Sequence, residues 1–91
     1  MTNIEVTESS PNSFSVTVHG IHLTTHQVSV KPDYAKQLLK NTHASLVEVV
    51  HASFRFLLDR ESNTSILRSF DLSVIERYFP DYPKIISEYL E

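Results

Sequence analysis

The chain contains no cysteine, only one glycine and no long apolar run. Without cysteine there are no disulfides, no thiolate nucleophile and none of the common cysteine-based zinc or iron–sulfur sites, so the fold must rest on packing. A lone glycine, Gly20, leaves no glycine-rich loop to cradle a phosphate. No stretch approaches the roughly 18 apolar residues that a membrane span requires. Met1 to Ser10 has neither the basic n-region nor the apolar h-region of a signal peptide. The expectation is a soluble, cytoplasmic protein.

Positive charge is also scarce. Eight lysines and arginines face eleven acids, for a formal net charge of -3, and neither sign forms a run. Nucleic-acid binders draw most of their affinity from neutralising phosphates, so this balance counts against such a partner. The dispersed acids give no acidic tail either. Ninety-one residues fit one domain that can close a core without staples. Residues 1–12, polar around a single proline, read as a disordered tail, and residues 13–91 as a single α+β domain. Ile4 and Val6 offer an edge strand as the other reading of that tail.

What is present centres on Ser45 to Glu61. Ser45-Leu46-Val47-Glu48 has the form of a capping box, in which the serine caps free amides and the glutamate reaches back. At 100° per residue, Leu46, Val47, Val49, Val50, Phe54, Phe56, Leu57 and Leu58 fill about half the circumference of the following helix, well beyond the ~100° stripe of a surface helix. Glu48, His51, Ala52, Arg55 and Asp59 form its narrow polar strip. Such a helix needs cover on two sides, either as the centre of a small domain or as half of a dimer seam. It should end near Arg60 or Glu61.

Phe14-Ser15-Val16-Thr17-Val18 alternates as a strand buried on one face. A second strand leads to Lys31-Pro32, but its apolar phase changes from odd (Ile21, Leu23) to even (Val28, Val30), so one straight strand cannot bury both pairs. A tight turn at His19-Gly20 would set Ile21 beside Val18. A wider loop through Gly20 to Thr24 would oppose Val28 to Val16 and Val30 to Phe14, and this register is expected. Pro32 opens a short helix to about Lys40. Ile66, Leu67 and Phe70 have the spacing of one helical turn, Asp71 suits the N-cap of a helix through Phe79, and Pro83 opens a last helix with Ile85, Ile86, Tyr89 and Leu90 on one edge. The expected fold is therefore α+β, an N-terminal β-hairpin followed by a helical majority packed around one central helix.

Sites are sparse. His19, His22 and His26 cluster in the hairpin, but His22 and His26 on a straight strand lie roughly 13 Å apart, too far to share an ion. They read as solvated histidines at a hairpin edge, with no metal and no cofactor. Glu48 and His51 share a helical face, yet the capping box accounts for the glutamate. No nucleophile sits in a recognisable strained turn, so no catalytic residue is assigned. Tyr78, Tyr82 and Tyr89 combine an apolar body with a polar tip and are the candidate partner-binding residues.

Val28-Ser29-Val30, running through Lys31-Pro32 into a short helix and then a longer apolar one, resembles the strand-helix-helix order of ribbon-helix-helix DNA-binding proteins, including many antitoxins. The resemblance covers Gln27 to Glu61. It implies a dimer whose outward strand residues Gln27 and Ser29, with Lys31, read the major groove. The acidic net charge, the short first helix and the upstream strand depart from that pattern. The leading expectation is a noncatalytic interaction or regulatory module with a protein partner, monomeric rather than homodimeric, and the alternative is a DNA-binding dimer of antitoxin or repressor type.

Overall fold

A computed structural model describes residues 3–40 and 42–90. The chain opens with three strands, β1 (Asn3–Ser10), β2 (Ser13–His19) and β3 (Leu23–Ser29). Helices α1 (Pro32–Leu39) and α2 (Leu46–Leu58) follow, then a short strand β4 (Ser69–Asp71) and helices α3 (Val74–Tyr78) and α4 (Tyr82–Tyr89). The sheet order is β1-β2-β3-β4, with the first three antiparallel and β4 parallel to β3. One face of the sheet carries the core: Phe14, Val16 and Val18 of β2 and Thr24, His26 and Val28 of β3 are buried, and the alternating residues point the other way.

The fold is α+β, but not the expected hairpin with a helical majority. Among the described residues helical content is 43% against 29% strand, and a four-stranded sheet replaces the hairpin. Two strands account for the difference. The first is β1, which lies where residues 1–12 read as a tail. Its Ile4 and Val6 sit opposite Val18 and Val16 and pack against the core, so two apolar anchors and backbone pairing hold an otherwise polar segment. Met1 and Thr2 lie outside the described residues. Asn12 makes the β1–β2 turn in the left-handed region at φ 62, which asparagine tolerates better than most residues. Its side-chain amide donates to the Val30 carbonyl (2.9 Å) and its own carbonyl accepts from the Val30 amide (2.9 Å), tying the turn to the end of β3.

The second is β4. Ile66 to Phe70, expected to be helical, instead runs beside β3, with Val28 paired to Phe70 and Ser29 to Asp71. Asp71 accordingly ends a strand and is not an N-cap; its Oδ1 accepts from the Ser73 amide and hydroxyl, making a tight turn into α3. Burial acts to raise the Asp71 pKa, but the hydrogen bonds from Ser73 and Ser29 and the Lys31 charge outweigh it and hold the carboxyl below its ordinary value.

The β2–β3 register matches neither expected alternative. Phe14 faces Val28, Val16 faces His26 and Val18 faces Thr24 across a Gly20-Ile21-His22 loop. The even phase is buried as the wider loop required, but the strand is shifted by two residues so that Thr24 and His26 enter the core. Ile21 is 99% exposed and Leu23 is exposed as well. Gly20 has no positive φ, and a Cβ there would meet the Asn63 side chain at an ordinary 3.5 Å, so its conformational freedom is not what makes the bend.

Helix α2 begins with the capping box read from the sequence: the Ser45 hydroxyl accepts from the Glu48 amide (3.2 Å) and the Glu48 carboxylate accepts from the Ser45 amide (3.0 Å). Those bonds, backbone first and then the hydroxyl, keep the Glu48 pKa below its ordinary value. The helix stops at Leu58, where the Arg60 and Glu61 amides both donate to the Leu57 carbonyl. Val49, Val50, Ala52, Ser53, Phe54, Phe56 and Leu57 are all buried within the one chain. Ala52, on the strip read as polar, goes inward because alanine fits beneath β1 and α4, the elements that flank α2. Phe54 is fully enclosed, with its ring 5.3 Å from His26 and 6.0 Å from Phe70. Phe56 meets Phe79, Tyr82 and Tyr89 edge-on, and the Arg60 guanidinium lies 3.7 Å above its ring.

Candidate functional site

The three tyrosines do not form one surface. Tyr82 is fully buried, so it is corrected from partner-binding candidate to core residue. Ser53 donates to the Val49 carbonyl one turn back (2.7 Å), which leaves its oxygen to accept from the Tyr82 hydroxyl (2.6 Å). Burial is the main influence pushing the Tyr82 pKa up. Tyr89 is half-buried: its ring rests on Phe56 and its hydroxyl donates to Asp59. Only Tyr78, 68% exposed at the end of α3, presents its ring to solvent.

The sheet residues assigned to the DNA alternative sit on the outer face or just beyond it. Gln27 and Ser29 are exposed on β3, and Lys31 precedes α1. Ser29 donates to the Asp71 carboxylate (3.0 Å) and Gln27 reaches Ser15 (3.4 Å). β3 is paired with β2 along its length and with β4 at Gln27 to Ser29, so at those three positions both of its edges are taken up within its own chain. An aspartate beside Ser29 and Lys31 also places negative charge where phosphate would have to approach.

The histidines diverge. His19 lies on the outer face 3.0 Å from Glu5, His22 is in the bend, and His26 is buried. Among the described residues no three metal-binding side chains converge. His26, expected to be solvated, corrects that reading most sharply. Its Nδ1 lies 2.8 Å from the Leu67 carbonyl and its Nε2 2.9 Å from the Thr24 hydroxyl, which in turn lies 2.8 Å from the Asn63 amide nitrogen. A carbonyl can only accept, so Nδ1 carries the proton and Nε2 accepts from Thr24. Burial is the main influence lowering the His26 pKa; the Leu67 bond opposes it and the Arg68 charge adds to it.

One surface feature combines exposure with apolar chemistry. A hollow of about 220 Å³ opens between the end of α2, the 65–70 segment and α3. Leu57, Ile66 and Ile75 form its buried floor, Phe70, Val74 and Phe79 its half-buried walls, and Leu67 and Tyr78 its exposed rim, with Glu61 at the edge. Leu67 is 49% exposed because the strand-like backbone here turns Ile66 inward and Leu67 outward, whereas the helical reading placed both on one face. A second groove, between β1, α2 and the end of α4, is lined by Val6, Val47, Glu48, His51, Arg55 and Leu90. The Glu48 carboxylate there serves the helix cap and Arg55 donates to the Tyr89 carbonyl, so both have structural employment.

No known protein family, curated protein or solved structure gives a match to this chain.

Proposed function

We propose that this chain is a noncatalytic interaction module that takes an apolar side chain of a protein partner into the hollow between Leu67 and Tyr78. The supporting observation is the pairing of those two exposed side chains around an apolar floor. Single exposed apolar residues are ordinary on proteins, but a concave apolar surface edged by a tyrosine is the form that partner contacts favour. The polar groups of the interior support a noncatalytic reading: Ser53, Tyr82, Thr24 and His26 are each engaged in hydrogen bonds that tie one element to another.

Photo-crosslinking tests this reading. A benzophenone side chain placed at Tyr78 should capture a discrete protein partner in cells, and the product should vanish when Leu67→Ser is added. The same group at Thr17, on the outer face of the sheet, should capture nothing specific. A product formed from position 17 but not from 78 would remove the hollow from consideration.

A further inference from the structure

We propose that His26 is an acid-sensitive latch, whose protonation releases the segment from Asn63 to Arg68 from β3 and so loosens the wall of the hollow that carries Leu67. The part concerning the hollow rests on the function proposed above; the latch itself does not.

The argument is one of hydrogen-bond direction. With a neutral imidazole every donor has an acceptor: the Asn63 amide donates to Thr24 Oγ1 (2.8 Å), the Thr24 hydroxyl donates to His26 Nε2 (2.9 Å), and His26 Nδ1 donates to the Leu67 carbonyl (2.8 Å). A second proton on the ring turns Nε2 into a donor facing the Thr24 hydroxyl, which must then give up its own acceptor. Asn63 cannot rotate to supply one, because its amide nitrogen also donates to the His22 carbonyl (2.7 Å) and rotation would set two oxygens against each other. The ring has no water to turn to, being fully buried. Protonation therefore leaves an unpaired hydroxyl and a buried charge in the same place, and the least costly relief is to open the segment that holds Asn63 and Leu67.

The Leu67 carbonyl, bonded to Nδ1, favours an added charge on the ring, but burial outweighs it. Along β3 the same-face neighbours are Thr24 and Val28, across on β2 it is Val16, and from α2 the Phe54 ring packs against it. From the 63–68 segment come Asn63, the Leu67 carbonyl and Arg68, whose positive charge opposes a second one nearby. Glu48, His51 and Arg55 of α2 line the groove beside β1 and α4 instead, and Glu5 pairs with His19 on the outer sheet face. Glu61 edges the hollow.

Amide exchange by NMR on the whole chain tests the latch. The Ile66 amide bonds to the Asn63 carbonyl and the Gln27 amide to the Arg68 carbonyl, so both report the segment, whereas the Phe54 amide inside α2 reports the core. Below pH 6.5, protection at Ile66 and Gln27 should fall by about tenfold per pH unit, as one extra proton in the open state requires, with Phe54 unchanged. His26→Gln should flatten that dependence. In the wild-type chain, ring nitrogen shifts should show the Nδ1–H form at neutral pH and a midpoint below 6.5, a readout that needs no variant. A ring that titrates at 6.5 or above without loss of protection, or a pH dependence that persists in His26→Gln, would overturn the latch. Crosslinking at position 78 is read at neutral pH, where the latch is closed, so the two readings fail separately.

Discussion

His26 and Phe54 show how single residues divide the work inside this sheet-and-helix core. Phe54 contributes packing from every side, and Phe54→Ala should cost ~3 to 5 kcal/mol, as truncation of a buried aromatic does. Chemical denaturation measures it, and a loss under ~1 kcal/mol would mean that the ring is not enclosed. His26 contributes connection and makes stability depend on pH. Its folded-state pKa is lowered from 6.5, so the unfolded chain takes up the proton first as pH falls. The His26 contribution is therefore whole above pH 6.5 and declines as pH drops through that value toward the folded pKa. Glu48 and Asp71, with pKa values lowered from 4.5 and 3.8, add their own losses only below those values. Urea midpoints should accordingly fall between pH 7.5 and pH 5.5 in the wild-type chain, and a midpoint that rises toward acid would contradict the buried neutral imidazole. This histidine was legible in part. The even alternation Thr24, His26, Val28, Val30 already lies in the sequence, but Thr24 reads as loop and His26 as a solvated histidine at a hairpin edge, because burial of a histidine needs partners, and here the distant Asn63 and Leu67 supply them.

Elements differ in how much of their cause is local. The start of α2 is local: Ser45 and Glu48 cap each other across one turn, and Ser45→Ala should lower stability by about 0.5–2 kcal/mol. Helix content should shrink with it on circular dichroism. An unchanged melting curve would show that the cap is made but contributes nothing. α1 was read for the same reason, since proline at its start and i, i+4 apolar pairs act within the segment. β1 and β4 are the reverse case. Strand β4 has three residues and exists because β3 offers an unpaired edge, and β1 is polar apart from Ile4 and Val6. Neither carries enough pattern to announce itself, because the backbone partner that makes each a strand lies elsewhere in the chain. The apolar rim at Leu67 follows from the same point: what a helical spacing places inside, a strand turns out to solvent.

At the scale of the whole molecule, the wide apolar arc of α2 is satisfied by the chain's own elements: β1 and the inner sheet face on one side and α4 on the other. Melting temperature should then be independent of protein concentration over a hundredfold range, as expected of a core that closes within one chain. A transition that climbs steadily with concentration would place part of the core between chains. No helix among the described residues is long and apolar enough to cross a membrane. With the core closed from within, the exposed leucine and tyrosine beside the hollow are not needed to hold the fold together. The double substitution Leu67→Ser with Tyr78→Ser separates folding from binding at this place. The variant should keep its melting temperature within a few degrees of wild type, as surface changes do, and lose the partner captured by the unmodified chain. Retained capture by a fully folded variant, or a collapse in stability on substitution of these two rim residues, would contradict a contact surface between Leu67 and Tyr78.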